Sequence, residues 1–167
     1  MATRLLFVAD THVPRRARVL PAAVREAASG VDLIVHAGDW VSASVLDELE
    51  TLGPVLGVWG NNDGDDLRSR LPEIARAEID GVRVAVVHET GASLGREKRM
   101  DGAFPDADLL VFGHSHIPWD TVTPNGLRLL NPGSPTDRRR QPACTLMTAT
   151  LSAGEIRDVV LHEVSRD

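Results

Sequence analysis

A chain of 167 residues with 43% apolar and 25% charged side chains has the make-up of a folded globular protein, long enough for one domain with a substantial core and short for two. Its single cysteine, Cys144, excludes an intrachain disulfide and a thiolate metal site, and its net charge of −6 argues against general nucleic-acid binding, which needs a basic face. There is no tyrosine to help build a base-stacking surface, and no run of roughly 18 apolar residues marks a membrane span. The N-terminus reads as a strand rather than a signal peptide, so the cytoplasm is the expected location.

In chain order, the first apolar run is Leu5–Ala9. "PAAVREAAS" follows as a helix from Pro21 to Ser29, and then comes the second run, Leu33–Val35. "SASVLDELETL" is the next helix, with Ser42 or Ser44 as N-cap, ahead of the run Val55–Trp59. Strand, helix, strand, helix, strand implies parallel pairing. Val82–Val87 and Leu109–Phe112 complete five short apolar runs of the kind that suits strands covered on both faces. In this later part hairpin signals dominate: Asp80-Gly81 and Asn125-Gly126 read as type I′ turns, and 152–155 as a turn between "CTLMTATL" and "EIRDVVLHEV". Cys144 reads as core. No repeat or linker interrupts the chain, so residues 1–167 are expected to form one domain.

The residues just past the end of each run are more telling than the run itself. Leu5–Ala9 leads into "DTH" with Asp10 and His12, and Leu33–Val35 into "HAGDW" with Asp39. Val55–Trp59 leads into "GNND" with Asn61 and Asp63, Val82–Val87 into His88, and Leu109–Phe112 into "GHSH" with His114 and His116. Parallel strands share one carboxyl edge, which is where open α/β folds put their ligands. Gly38, Gly60 and Gly113 are expected to let the backbone turn where these side chains converge. A strand-end aspartate taken singly is usually a cap or a turn residue, and a lone His-x-His is usually incidental. Five such endings together, holding four of the six histidines, point to metal binding.

Imidazole mixed with carboxylate suits manganese, iron, zinc, cobalt or nickel, and suits magnesium or calcium poorly. Seven side chains exceed the three or four that one catalytic zinc takes. They fit two ions roughly 3.5–4 Å apart with a shared carboxylate, an arrangement used for in-line displacement at phosphorus.

"DTH", "GD", "GNND", a strand-end His88 and "GHSH", in that order, resemble the motifs of the calcineurin-like metallophosphoesterases. "NPGS" at 131–134 is similar to the small single-domain branch, which includes bacterial phosphodiesterases and the eukaryotic retromer subunit of the same shape. The resemblance implies a four-layer α/β/β/α sandwich with two mixed central sheets and the metals at strand C-terminal ends. It implies one ion held by Asp10, His12, Asp39 and His116, and another by Asp39, Asn61, His88 and His114, with Asp39 bridging. Asp63 would orient a ligand. Two divalent transition-metal ions are the implied cofactors, manganese first, with nickel, cobalt, iron or zinc as alternatives. The implied activity is hydrolysis of a small phosphodiester or phosphate ester, the diester favoured, by in-line attack of a metal-bridging hydroxide. Asp39 and Asn61 are the expected catalytic positions, and Asn61 with Asn62 the expected substrate contacts.

This sequence departs from the family pattern at two places. Larger members carry a histidine general acid where Asn62 stands, and general acid catalysis is worth about 10²–10⁴-fold. Glu89 stands where glycine is common, able either to repel an anionic substrate or to support a ligand. His36 reads as a structural or ligand-orienting histidine, and His162 as solvent-facing. Trp40 and Trp59 read as packing near the site in preference to base-stacking. Arg15, Arg16 and Arg18, and "DRRRQ" at 137–141, read as solvated loops, with anchorage of a second phosphate as the other reading. "NPGS" is expected to shape a turn without supplying a ligand. The alternative function is a scaffold or interaction module that keeps the metal site; a di-metal amide hydrolase shares the metal logic but not the motif order.

Overall fold

Residues 1–165 are described in the computed structural model. β1 (Ala2–Val8), α1 (Ala22–Ser29), β2 (Leu33–His36), α2 (Ala43–Leu52) and β3 (Val55–Gly57) make the first half. α3 (Asp65–Arg68), β4 (Ile74–Ile79), β5 (Val82–Val87), α4 (Arg96–Ala103) and β6 (Leu109–Val111) come next. The chain continues through β7 (Trp119–Val122), β8 (Arg128–Asn131), β9 (Cys144–Ser152) and β10 (Glu155–Val164). Two five-stranded sheets result, ordered β10-β9-β1-β2-β3 and β4-β5-β6-β8-β7. β1, β2 and β3 run parallel, as do β5, β6 and β8, and antiparallel strands complete each sheet.

Alternation along the apolar runs builds four layers. Leu5 and Phe7 of β1 join Val84, Val86, Leu109 and Val111 in a core between the two sheets. Leu6 and Val8 point the other way, against Val24 of α1 and Leu46 and Leu49 of α2. On the far side Leu110 and Phe112 meet Met100 and Phe104, at α4 and its C-cap. Each central strand is thus buried on both faces, which is why its sequence is continuously apolar rather than alternating. The architecture is the α/β/β/α sandwich with two mixed sheets.

The local signals resolve one by one. Ser42 is the N-cap of α2, its side chain accepting from Ser44 N, and Pro21 sits at the N-cap of α1 rather than inside it. Asp80 and Gly81 both have positive φ, as the type I′ turn joining β4 to β5 requires, and Ala153-Gly154 does the same between β9 and β10. At Asn125-Gly126 the expectation fails: Gly126 alone has positive φ, and a longer loop bonded to Asp101 joins β7 to β8. A type I′ turn needs both central residues left-handed. No described helix is long and apolar enough to cross a membrane.

Candidate metal centre

The ends of β1, β2 and β3 from one sheet and of β5 and β6 from the other converge. Asp10, His12 and His116 form one group, and Asp39, His88 and His114 another; within each, one donor atom per residue lies within 4.8 Å of the others. Asp39 links the groups, since its Oδ2 is 3.4 Å from His12 Nε2 and 3.3 Å from His88 Nε2. Asn61 Oδ1 lies 3.0 Å from His88 Nε2 and 3.2 Å from His114 Nδ1. All seven candidate ligands are therefore brought together.

The backbone is bent to achieve this. Asp10, His12, Asp39, His114 and His116 all have positive φ, and so does the β-branched Val41. Non-glycine residues rarely adopt that region, and such strain gathers where a surrounding structure enforces a site. Of the three expected hinge glycines only Gly38 has positive φ, at 96°. Gly60 is needed for space instead: a Cβ there would stand 2.2 Å from Asp39 Oδ1 and 2.5 Å from Asp39 N.

The donors are aimed by their other ends. His88 Nδ1 donates to the Ala37 carbonyl at 2.7 Å and His116 Nδ1 to the Asp137 carbonyl at 2.8 Å, which turns both Nε2 atoms inward. Among the described residues, the buried Nε2 atoms of His12 and His116 have no hydrogen-bond partner. An unpartnered buried polar atom costs about 1–3 kcal/mol, so two of them facing the Asp10 carboxylate mark a place built for cations.

Protonation is set by these contacts. Burial lowers the His88 pKa, but the hydrogen bond to Asp39 and the charges of Asp10 and Asp39 outweigh it, pushing the group up to about 9. Burial likewise works against the Asp39 carboxylate, yet His88 and the two Asn62 bonds hold it well below the usual carboxylate range. His116 moves downward, chiefly by burial, leaving its inward nitrogen neutral and open to a cation. Nitrogen with carboxylate and amide oxygen, and no sulfur, fits a divalent transition metal.

The model of the calcineurin-like phosphoesterase superfamily domain matches residues 3–154. The chain belongs to that superfamily. A probable metallophosphoesterase of Methanothermobacter thermautotrophicus is 42% identical over 135 residues, covering 77% of this chain and 75% of its own. Among solved structures, a Thermotoga maritima protein superposes with a TM-score of 0.75 at 30% identity, over 97% of this chain and 99% of that one. Vps29 of Entamoeba histolytica, in a structure complexed with zinc, shares the fold at a TM-score of 0.78 and 22% identity, over 96% and 98% of the two chains.

In this calcineurin-like phosphoesterase the remaining expected residues take definite places. Asp63 is buried and accepts from the backbone N–H groups of Asp39, Gly60 and Val41 at 2.9, 2.8 and 2.7 Å, so it holds the loop that carries Asp39. Burial raises its pKa, and those N–H groups oppose the rise. Asn62 is exposed, and it donates its side-chain amide to Asp39 Oδ2 at 2.8 Å and its backbone N–H to Oδ1 at 2.9 Å. Glu89 is exposed, with Oε1 3.7 Å from His114 Nε2. His36 is buried and structural: Nδ1 accepts from Gly38 N, Nε2 meets Thr11 Oγ1, and the ring stacks on Trp40 at 3.6 Å.

Trp40 is packing, its Nε1 donating to Val58 O at 2.8 Å. Trp59 is half-buried under the Arg68 guanidinium, 4.0 Å from the ring centre, and borders a cleft of about 360 Å³ that reaches Asn61 and His88. His162 is exposed on β10, bonded to Thr148, and Cys144 is buried. In "NPGS", Asn131 Nδ2 donates to Gly113 O at 3.2 Å and Ser134 Oγ to Asp10 O at 2.8 Å, tying the first motif to the last. The aiming carbonyls of Ala37 and Asp137 carry no signal in the sequence, because any residue has one.

Proposed function

We propose that the protein is a metal-dependent phosphodiesterase. The observation that supports it most is the pair of orphaned buried imidazole nitrogens, on His12 and His116, set against Asp10 and Asp39. In this reading Asp10, His12, Asp39 and His116 hold one divalent cation and Asp39, Asn61, His88 and His114 a second, with manganese preferred and nickel, cobalt, iron or zinc as substitutes. Two such cations supply a nucleophile activated at neutral pH and neutralise charge on the phosphoryl oxygens.

The chain's own residues do the positioning. Asn62 and Asp63 fix Asp39, one through its carboxylate and the other through its backbone. Asn61, with Oδ1 turned toward the histidines, keeps its amide N–H₂ for a phosphoryl oxygen. No histidine is available at position 62 to protonate the leaving oxygen, so alcohols that leave readily are favoured. Glu89 beside His114 adds negative charge at the rim, which costs a dianionic monoester more than a monoanionic diester.

The test is elemental analysis of the purified protein, followed by assays on bis(p-nitrophenyl) phosphate and p-nitrophenyl phosphate with manganese, nickel, cobalt and zinc in turn. Cleavage of the diester above the monoester is expected. No diester cleavage with any metal overturns the reading. The scaffold alternative gains nothing from the site itself, because every expected ligand is present and converges.

A further inference from the structure

We propose that the arginine-bearing cleft beside His12 binds a second phosphate group of the substrate, one carried on the same alcohol or sugar as the scissile diester. The proposal rests on the phosphodiesterase reading and deepens it to a class: phosphorylated phosphodiesters, such as esters of nucleoside 3′,5′-bisphosphates.

Two loops form the cleft. Its walls include Arg16, Arg18 and Val19 from the loop after His12, and Pro135 and Thr136 from the loop after "NPGS". Its volume is about 270 Å³, far above the roughly 30 Å³ of one liquid water. Both walls are fastened to the metal centre. Arg16 N donates to His12 O at 2.7 Å, and Thr136 Oγ1 to Thr11 O at 2.7 Å. Asp137, whose carbonyl aims His116, pairs through Oδ2 with Arg16 Nε at 3.3 Å. Arg139 reaches from the same loop to the carbonyl of Ser115, between two candidate ligands, at 3.5 Å.

Charge decides what the cleft takes. Arg16 and Arg18 line it, and Arg15, Arg138, Arg139 and Arg140 lie in the same two short loops, together six of the chain's 18 basic residues on a protein of net charge −6. All six are exposed, and Asp137 is the one carboxylate that lies in either stretch, 15–18 or 137–140. Like charges held together repel, and an anion relieves them. Guanidinium groups match phosphate oxygens in a planar, two-pronged geometry that lysine does not offer. A solvated loop needs neither the cleft nor the attachment to His12 and His116.

The test uses two chromogenic esters that differ by one group: thymidine 5′-(p-nitrophenyl phosphate) with and without a 3′-phosphate. For the manganese-loaded protein the 3′-phosphate is expected to raise kcat/KM by about 10-fold, mainly through KM, and the ratio to collapse toward one in the R16A/R18A variant. R16K/R18K is expected to restore part of it. Calorimetry with thymidine 3′,5′-bisphosphate and thymidine 5′-phosphate supplies a readout free of turnover, with the bisphosphate bound more tightly by the parent alone. A ratio near one in the parent, or one that survives in R16A/R18A, overturns the subsite. If neither ester is cleaved but the bisphosphate preference is present and lost in the variant, the phosphodiesterase reading falls and the subsite stands. If the preference is absent as well, both fall.

Discussion

Asn62 grips Asp39 twice, backbone N–H to Oδ1 at 2.9 Å and side-chain amide to Oδ2 at 2.8 Å. The position that reads in the sequence as a lost general acid is thus a brace for the carboxylate that links the two donor groups. Asn62→Ala removes only the side-chain bond. Partners of this kind typically carry about 10–100-fold in metal affinity. A drop of that order in manganese binding is expected by calorimetry, with the metal-free protein keeping its melting temperature within a few degrees. Unchanged affinity would mean that the amide serves the substrate alone.

Asp39→Asn tests the linkage between the two groups. Its Oδ2 is the atom close to both His12 and His88, and an amide is a far poorer bridge between cations. The variant is expected to retain one manganese equivalent at most and to lose measurable turnover. Circular dichroism should show the parental fold. Two tightly held equivalents in the variant would contradict the arrangement.

The metal-free and metal-loaded proteins should diverge with pH. The folded pKa of His88, about 9, lies above the ordinary histidine value of 6.5. Its protonation therefore contributes stability that is full below about pH 6.5 and is lost as the pH rises through about 9. A cation at the same nitrogen must displace that proton, so metal binding strengthens over the same interval. The melting temperature of chelator-treated protein is expected to fall from pH 6.5 to 9, while the gain on adding manganese grows. A gain independent of pH across that window would remove His88 from the ligand set. Asp39 acts elsewhere: its depressed pKa supplies stability above the ordinary aspartate value, lost only as the pH falls into the acid range.

Gly60→Ala should disable the centre without touching a donor. The added Cβ would fall 2.5 Å from Asp39 N and 2.2 Å from Asp39 Oδ1, and backbone cannot rotate aside. Overpacking of this kind costs about 1–3 kcal/mol. A lowered melting temperature together with lost manganese binding is expected, against near-parental behaviour for Gly102→Ala, where nothing lies within 4 Å.

The strand ends are legible in the sequence because donor and strand are local. A buried run stops and the next polar residue is at the edge, so Asp10, Asp39, Asn61, His88 and His114 can be marked without knowing how the sheets lie. The long-range pairings are not legible. β9 returns to lie antiparallel to β1, and β8 slots in parallel beside β6, choices that depend on which apolar faces meet across the whole chain. α4 gives no periodic signal because its charged sequence "REKRMDGA" buries only Arg96 and Met100. The left-handed turns at five donors are hidden too, since aspartate and histidine, though enriched in that region, mostly keep to the ordinary ones. Gly60 stands out in the sequence as a hinge, yet the fold uses it for room and not for freedom.

Those five left-handed donors constrain what can replace them. A β-branched or bulky residue at any of these positions would give up the donor atom and strain the turn that carries it, whereas glycine would give up the donor alone. A pair of substitutions at one position can therefore separate the shape of a loop from its chemistry.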